Sequence, residues 1–91
     1  MEFEWNPEKA QANLRKHRVS FEEAQSVFDD PMFITLLDVE HSVDEDRYIT
    51  IGQSRRNRIL LIAHAERNGR VRIISAREVT RHEQNFYTEG L

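Results

Sequence analysis

Histidine and arginine are the residue types in this sequence that could do chemistry. Histidine has an unperturbed pKa of about 6.5, so it can take up or release a proton near neutral pH. Arginine stays charged and presents a fork of N–H donors that matches pairs of phosphate oxygens. The chain contains four histidines, and every Lys or Arg after position 46 is an arginine. These residue types suit proton transfer and phosphate binding.

The charges are distributed unevenly along the chain. The net charge of −3 is the sum of −8 over residues 1–46 and +5 over residues 47–91. Such asymmetry predicts a basic face for an anionic partner and an acidic face for something else. The alternative is two solvated faces that attract each other, and composition alone favours neither interpretation.

Several other chemistries have no support in the sequence. The absence of cysteine excludes disulfides and thiolate metal sites. There is no H-E-x-x-H motif, and the acidic run 44–46 lacks the spacing of an EF-hand, so neither a metal nor a cofactor is expected. The start of the chain is acidic and the longest apolar run, residues 59–63, is short. We therefore expect a soluble, cytoplasmic protein without a signal peptide or membrane span.

The elements that must position these residues begin with two predicted helices. The length of 91 residues predicts one domain over residues 1–91, with a core of marginal stability unless a partner contributes. Asn6-Pro7 is typical of a helix start and predicts a helix over 7–17. Ser20 and Glu23 form a capping box that predicts a second helix over 20–29, ended by Asp30-Pro31.

From residue 33 the hydrophobic period changes to two, which predicts a sheet. The predicted strands are 33–38, 48–53, 58–66 and 71–76, with an acidic loop over 40–47. Asn68-Gly69 predicts a type I′ hairpin turn, and Thr80 with Glu83 predicts a helix over 80–88. Phe3 and Trp5 suggest a brief strand or an anchored arm. The predicted fold is α+β: two N-terminal helices, a four-stranded antiparallel meander and a C-terminal helix.

The predicted hairpin also fixes a register. If Asn68-Gly69 forms the turn, paired positions sum to 137, and paired side chains share a face. On this register Arg58 and Arg77 are diagonal neighbours at one end of one face, while Arg72 lies on the other face. The predicted pairs are Leu60–Arg77, Ile62–Ser75, His64–Ile73 and Ala65–Arg72.

Several motifs together are specific to a known family. The segments KHRVSFEEA (16–24) and RIISAR (72–77) occur in that order. Further matching residues are Trp5-Asn6-Pro7, Lys9, Asn13, Asp30-Pro31, Arg47, Gly52, Ser54, Arg58, Leu60, Glu83 and Tyr87. With these residues the chain resembles the BrnT family of toxins from type II toxin–antitoxin modules, over nearly its whole length.

The sequence departs from the family pattern at a few positions. Asn6 stands where Asp is common, and Asn57 replaces a turn glycine, and both substitutes can serve the same local structure. His64-Ala65 and Gln84 stand where the family more often has an aromatic-Thr pair and Arg. These departures affect the expected substrate preference more than the expected fold.

The resemblance implies a fold, an activity and a partner. The fold would be RelE/ParE-like, and the activity a metal-independent endoribonuclease that inhibits growth or translation. The toxin would be neutralised by a BrnA-like antitoxin with a ribbon-helix-helix part, in an assembly of two toxins and two antitoxins. Operator DNA would be contacted only through the antitoxin, and no membrane would be involved.

Metal-free RNA cleavage needs a base for the 2′-OH proton, an acid for the leaving 5′-oxygen and cations around the phosphorane. By resemblance, the candidate catalytic residues are His17, Arg58, Arg77 and Tyr87, and the candidate RNA-binding residues are Lys16, Arg70 and Arg72. Each has a structural alternative. His17 could cap the first helix, the two catalytic arginines could pair with Glu83 or Glu78, and Tyr87 could lie in a buried stripe with Phe86. His64 is expected to be packed and hydrogen-bonded.

Two other functions remain open on the sequence. The first is a catalytically inactive module of the same fold whose arginine face and sheet edge hold only a protein partner. The second, on fold analogy alone, is a ParE-like gyrase poison.

Overall fold

The computed structural model describes residues 1–90 and shows three α-helices and one five-stranded sheet. The strands are β1 (Glu2–Glu4), β2 (Ile34–Leu37), β3 (Arg47–Gln53), β4 (Ile59–Arg67) and β5 (Arg70–Glu78). The helices are α1 (Pro7–His17), α2 (Phe21–Ser26) and α3 (Arg81–Glu89), with short 3-10 turns at Val27–Asp29 and Val39–His41. The α+β class is as predicted.

The predicted helix starts are confirmed because each has a side-chain cap. The Asn6 side chain accepts from the backbone N–H of Glu8 at 2.8 Å, and Ser20 accepts from that of Glu23 at 3.0 Å. Thr80 and Glu83 form the reciprocal capping box of α3. The predicted helix over 20–29 is shorter than expected: it is α-helical to Ser26 and then tightens to a 3-10 turn. The Ser26 hydroxyl donates to the Glu23 carbonyl at 2.6 Å, a side-chain bond of the kind that competes with regular helix geometry.

The sheet contains one strand more than the predicted meander. Strands β2 to β5 are antiparallel neighbours in sequence order, and both Asn68 and Gly69 have positive φ as a type I′ turn requires. The prediction of four antiparallel strands is wrong in that β1 pairs parallel to β5, with Glu4 opposite Arg72. The brief strand expected at Phe3 and Trp5 is found over Glu2–Glu4, but so short a segment does not indicate which strand it pairs with or in which direction. Its position depends on non-local contacts such as Phe3 against Phe28, with ring centroids 5.2 Å apart.

A β-bulge in β5 changes the predicted register. The pairs from His64–Ile73 to Arg67–Arg70 are as predicted. Ile74 then has no partner, so the predicted pairs Leu60–Arg77 and Ile62–Ser75 are wrong. The observed pairs are Leu60–Glu78, Leu61–Arg77, Ile62–Ala76 and Ala63–Ser75. The bulge lets Ile73 and Ala76, three positions apart, both face the core, where each is almost fully buried.

The core lies between the sheet and the two N-terminal helices. Its buried apolar side chains are Val19, Phe21, Ala24, Val27, Leu60, Ile62, Ile73 and Ala76, with Trp5 packed at its edge.

Asn13 closes the edge of β5 beyond the end of β1. Its amide nitrogen donates to the carbonyls of Val19 and Ala76, both at 2.9 Å, and its oxygen accepts from the Ala76 N–H at 3.1 Å. The side-chain amide of Asn13 thus makes the hydrogen bonds to β5 that the backbone of a longer β1 would make, and it fixes α1 beside β5. In residues 1–90 no helix is long and apolar enough to cross a membrane.

Candidate functional site

Arg58 is committed to a buried ion pair. Glu23, which is 1% exposed, accepts from Arg58 Nε at 3.0 Å, from a second Arg58 nitrogen, and from the Ser54 hydroxyl at 2.7 Å. The hydrogen bond from Arg58 is the main cause of the lowered pKa of Glu23. Arg58, the residue before β4, also donates to the Arg18 carbonyl at 3.0 Å, so one guanidinium joins the start of β4 to α2 and to the end of α1.

Arg77 lies on the other face of the sheet. It pairs with Leu61, whereas Glu78, which contacts Arg58 at 3.5 Å, pairs with Leu60. Since adjacent residues of a strand point to opposite faces, the predicted diagonal pair of Arg58 and Arg77 is wrong, and the bulge is the reason.

The guanidinium of Arg77 is held by the C-terminal helix. It donates to both carboxylate oxygens of Glu83, at 2.8 and 2.9 Å, and this lowers the pKa of Glu83 to about 2. The structure thus contains the ion pair that was the structural alternative for Arg77. The Arg77 side chain remains 38% exposed.

Tyr87 anchors α3 at the end of β3. Its hydroxyl donates to Asp30 at 2.5 Å, and Asp30 also accepts from the Gln53 backbone N–H. Burial, with the bond to Asp30 as the second cause, raises the pKa of Tyr87 to about 12. Phe86 is 39% exposed and packs on His82, so the two aromatic residues do not form the shared buried stripe that was the alternative.

The arginines proposed for RNA binding are paired with carboxylates of β1. Arg72 contacts Glu4 at 3.0 Å, and Arg70 lies 3.8 Å from Glu4. Arg67 likewise binds Glu45 through two hydrogen bonds. Each of these pairs joins an acidic residue of the first half of the chain to an arginine of the second half. These ion pairs neutralise part of the charge asymmetry of the sequence.

The histidines differ sharply in environment. His64 is buried, shares a 2.7 Å hydrogen bond with Thr50, and packs on Tyr48 and Phe28, as expected for a packed histidine. Burial lowers the pKa of His64 to about 4, so this ring is neutral at pH 7. His41 is bonded to Asp38.

His17 lies in a basic hollow between α1 and β5. The hollow has a volume of about 230 Å³ and is lined by Lys9, Ala12, Asn13, Lys16, His17, Ile74 and Ser75. Among residues 1–90, neither Lys9 nor Lys16 has a carboxylate within ion-pair distance. Ser75 and Arg77 point to the same face, because they pair with Ala63 and Leu61 on the neighbouring strand. We call the space between these seven lining residues, which do not include Arg77, the α1–β5 hollow.

Comparison with known proteins decides the family. A family model for BrnT, the ribonuclease toxin of a type II toxin–antitoxin system, matches residues 5–83. The chain belongs to the BrnT family. Its fold is similar to the 1.1 Å crystal structure of the Brucella abortus ribonuclease toxin BrnT, with a TM-score of 0.68. The two chains are 19% identical, and the match covers 89% of this chain and 99% of that one. No curated protein matches the chain.

Membership in the BrnT family confirms the expectation of a ribonuclease toxin family with an antitoxin partner. Of the residues proposed from sequence, Lys16 and His17 lie together in the α1–β5 hollow, and Arg77 lies two positions after Ser75 on β5, outside the lining. Arg58, Arg70, Arg72 and Tyr87 do not line it. Across the described 90 residues, no three His, Asp or Glu side chains are grouped closely enough to hold a metal ion.

Sequence reasoning missed Lys9 and Ser75 as members of this site. Lys9 precedes Lys16 by seven positions, a spacing that places both side chains on one face of a helix. That spacing could have identified Lys9. Ser75 had no comparable signal, because its orientation depends on the bulge at Ile74.

Proposed function

We propose that this BrnT-family chain is a metal-independent endoribonuclease of the cytoplasm that arrests growth by cleaving RNA. The observation that carries the proposal is the α1–β5 hollow, where an imidazole and two ammonium groups meet without a neutralising carboxylate. Elsewhere in the described residues the arginines proposed from the sequence are paired with acids. A surface that keeps its positive charge attracts a phosphate backbone.

The proposed reaction needs only groups near this hollow. His17 removes the proton of a ribose 2′-OH, whose oxygen attacks the adjacent phosphorus while the bond to the 5′-oxygen breaks. The products are a 2′,3′-cyclic phosphate and a 5′-hydroxyl, and the leaving oxygen takes up a proton from a protonated group or water. Lys9 and Lys16 bind the phosphate oxygens. Preorganised cations at such a position stabilise the charge that develops in the phosphorane.

Arg77 is the candidate for direct stabilisation of the phosphorane. It shares a face with Ser75, and its side chain is exposed enough to meet a ligand. In this proposal a phosphate replaces Glu83 as its partner, which the fork geometry of the guanidinium permits.

The other candidate residues have supporting parts in the proposal. Arg58 positions the end of α1, since it binds the Arg18 carbonyl directly after His17. Tyr87 holds α3 beside Arg77 through Asp30. Arg70 and Arg72 contribute weakly to RNA binding, because each phosphate contact would compete with a carboxylate of β1.

The antitoxin part of the proposal is more specific than family membership. We infer a BrnA-like ribbon-helix-helix antitoxin that forms a complex of two toxins and two antitoxins, and that alone contacts operator DNA. Exposed apolar side chains at Met32, Leu37, Val39 and Val43 support a protein partner. Co-expression with the gene encoded alongside, followed by co-purification and mass determination, tests this; two separate species would contradict it.

The test of the enzyme is RNA cleavage by the purified free chain in excess EDTA. We expect wild type to cleave and His17→Ala to lose cleavage by about a hundredfold or more. His82→Ala is the matched control, because it removes another helical histidine outside the hollow, and it should cleave like wild type. Cleavage that requires Mg²⁺ would contradict metal independence, and equal cleavage by His17→Ala would contradict the assigned site.

The ion pairs of Arg58, Arg72 and Arg77 favour a second candidate function. If these arginines serve only to hold the fold, the chain is a catalytically inactive module that binds a protein partner. The same assay separates the two functions, because the inactive module co-purifies with its partner and does not cleave RNA under any condition.

A further inference from the structure

Strand β2 is an open edge of the sheet. It is the last strand in the order β1-β5-β4-β3-β2, and none of residues 1–90 pairs with its outer side. The Asp38 N–H donates to the Arg47 carbonyl at 2.8 Å, which continues the ladder between β2 and β3. Because antiparallel pairs alternate, Ile34 and Leu36 bond to β3, and the backbone groups of Thr35 and Leu37 point outward. Two residues thus present unpaired N–H and C=O groups.

Apolar side chains surround this open edge. Leu36 and Leu37 are 39% and 51% exposed, and Met32 and Val39, just beyond the two ends of the strand, are exposed as well. Natural proteins protect an open edge with a very short strand, lysine, proline or a bulge. Strand β2 is short, with four residues, but it contains no Lys, Pro or bulge, and its exposed apolar side chains mark a binding surface.

The acidic residues that follow β2 indicate a basic partner. Residues 38–46 hold five carboxylates and neither Lys nor Arg. Arg67 binds Glu45 and His41 binds Asp38, so Glu40, Asp44 and Asp46 are the carboxylates of this segment without an ion pair among residues 1–90. Glu40 and Asp44 line a hollow of about 560 Å³ beside the end of the strand, together with Glu45, Arg47 and Arg67. A second copy of this chain would bring the same carboxylates and be repelled, whereas a basic segment is attracted.

We propose that β2 accepts an extended, basic segment of the antitoxin as a sixth strand of the sheet. The backbone groups of Thr35 and Leu37 supply the ladder, the exposed leucines contact apolar side chains, and the carboxylates of Glu40, Asp44 and Asp46 bind Lys or Arg. The inference rests on the proposed function in taking the partner to be the antitoxin.

Amide hydrogen exchange on the isotope-labelled protein tests this surface. The probe is a short synthetic peptide of alternating valine and lysine, added at about 1 mM. We expect exchange at Thr35 and Leu37 to slow by about tenfold or more, and a valine–glutamate peptide to have no effect. Leu37→Pro should abolish the protection, because it removes an outward N–H that β3 does not use. Leu37→Thr is the matched control and should keep it.

The outcomes separate this inference from the proposed function. No protection by the lysine peptide, or equal protection by the glutamate peptide, overturns the inference. Protection of the same amides in concentrated protein without peptide identifies a second copy as the occupant and also overturns it. If the antitoxin co-purifies but leaves Thr35 and Leu37 exchanging freely, the inference is wrong while the proposed function stands. Absence of RNA cleavage contradicts the enzyme alone and leaves the peptide result unaffected.

Discussion

Two charged clusters meet the C-terminal end of α1 and differ in what their charges contact. In the first, Arg58 binds buried Glu23 and the carbonyl of Arg18. In the second, the α1–β5 hollow, exposed Lys16 and half-buried His17 lie beside Ser75, and neither lysine of the hollow has an ion pair among residues 1–90. A buried pair fixes elements in place, whereas an open, uncompensated cluster can bind a ligand. Arginine content alone therefore does not locate the site.

The largest expected effect lies in the buried cluster. Glu23→Ala leaves the Arg58 guanidinium without its main partner, and we expect a loss of about 3 kcal/mol in the free energy of unfolding. This is the low end for a buried pair, because the Arg58 side chain is 23% exposed and keeps its contacts with Glu78 and the Arg18 carbonyl. Urea denaturation followed by circular dichroism measures it. Glu22→Ala is the matched control, since Glu22 is exposed, and its effect should stay within about 0.5 kcal/mol. If the Glu23 variant is as stable as the Glu22 variant, the Arg58–Glu23 cluster does not stabilise the fold, and the contrast with the α1–β5 hollow is wrong.

The next effect concerns catalysis near the hollow. Arg77→Ala should lower the rate of RNA cleavage by about a hundredfold or more, because one preorganised cationic contact is lost in the transition state. Arg77→Ala also removes the ion pair with Glu83 in α3, so the unfolding midpoint should fall, whereas the core does not contain Arg77 and circular dichroism below the midpoint should still show a folded chain. If a folded Arg77→Ala variant cleaves RNA as fast as wild type, Arg77 only holds elements of the fold together, as Arg58 does.

A third prediction concerns acid and the buried His64. Its pKa is about 4 in the fold against about 6.5 unfolded, so the unfolded chain binds the proton first as pH falls. The contribution of His64 to the free energy of unfolding is therefore fully present above about pH 7. About 2 kcal/mol of the free energy of unfolding should be lost by pH 5. Urea denaturation at the two pH values measures the loss. His64→Phe should lose much less over this range, whereas an unchanged loss would show that another group titrates.

Loss of Glu83 ionisation should appear only in stronger acid. The ion pair with Arg77 lowers the pKa of Glu83 to about 2, so its contribution is present above the unfolded value of 4.5 and declines as pH falls toward 2. The pH 5 measurement therefore reports mainly on His64.

The smallest expected effect is at Arg72. Glu4 already binds the Arg72 guanidinium, so Arg72→Ala should weaken RNA binding by about tenfold or less. The slope of the logarithm of the binding constant against the logarithm of the salt concentration should fall by the equivalent of about one phosphate contact or less. Fluorescence anisotropy with labelled RNA at several salt concentrations measures both quantities. If this variant loses more affinity than Lys16→Ala, RNA contacts the β1 side of the sheet in preference to the hollow.

Local signals account for the parts of the fold that could be predicted. The caps at Asn6, Ser20 and Thr80 and the turn at Asn68-Gly69 act over a few residues, and all four are found. The parallel position of β1 depends on contacts with β5, about 68 positions away along the chain. No pattern in a three-residue segment encodes such a contact.

The site was harder to predict because orientation and pairing decide it. Lys16 and His17 were identified by their place at the end of a helix and by resemblance. The bulge at Ile74 moved Arg77 away from Arg58, and a bulge is selected by burial of Ile73 and Ala76, a property of the packed core. Packing also determines which carboxylates pair with Arg72 and Arg77. Charge counts therefore could not show whether these two arginines are free to bind RNA.

The bond between Asn13 and Ala76 has a consequence for the order of synthesis. It joins residues 63 positions apart, and it positions His17 against Ser75. On the ribosome, helix α1 emerges while β5 has not yet been translated, so the hollow cannot assemble on a growing chain. Lys16, His17 and Ser75 therefore come together only after the codons for β5 have been read, and under the proposed function a nascent polypeptide does not cleave the messenger or the ribosome that produce it.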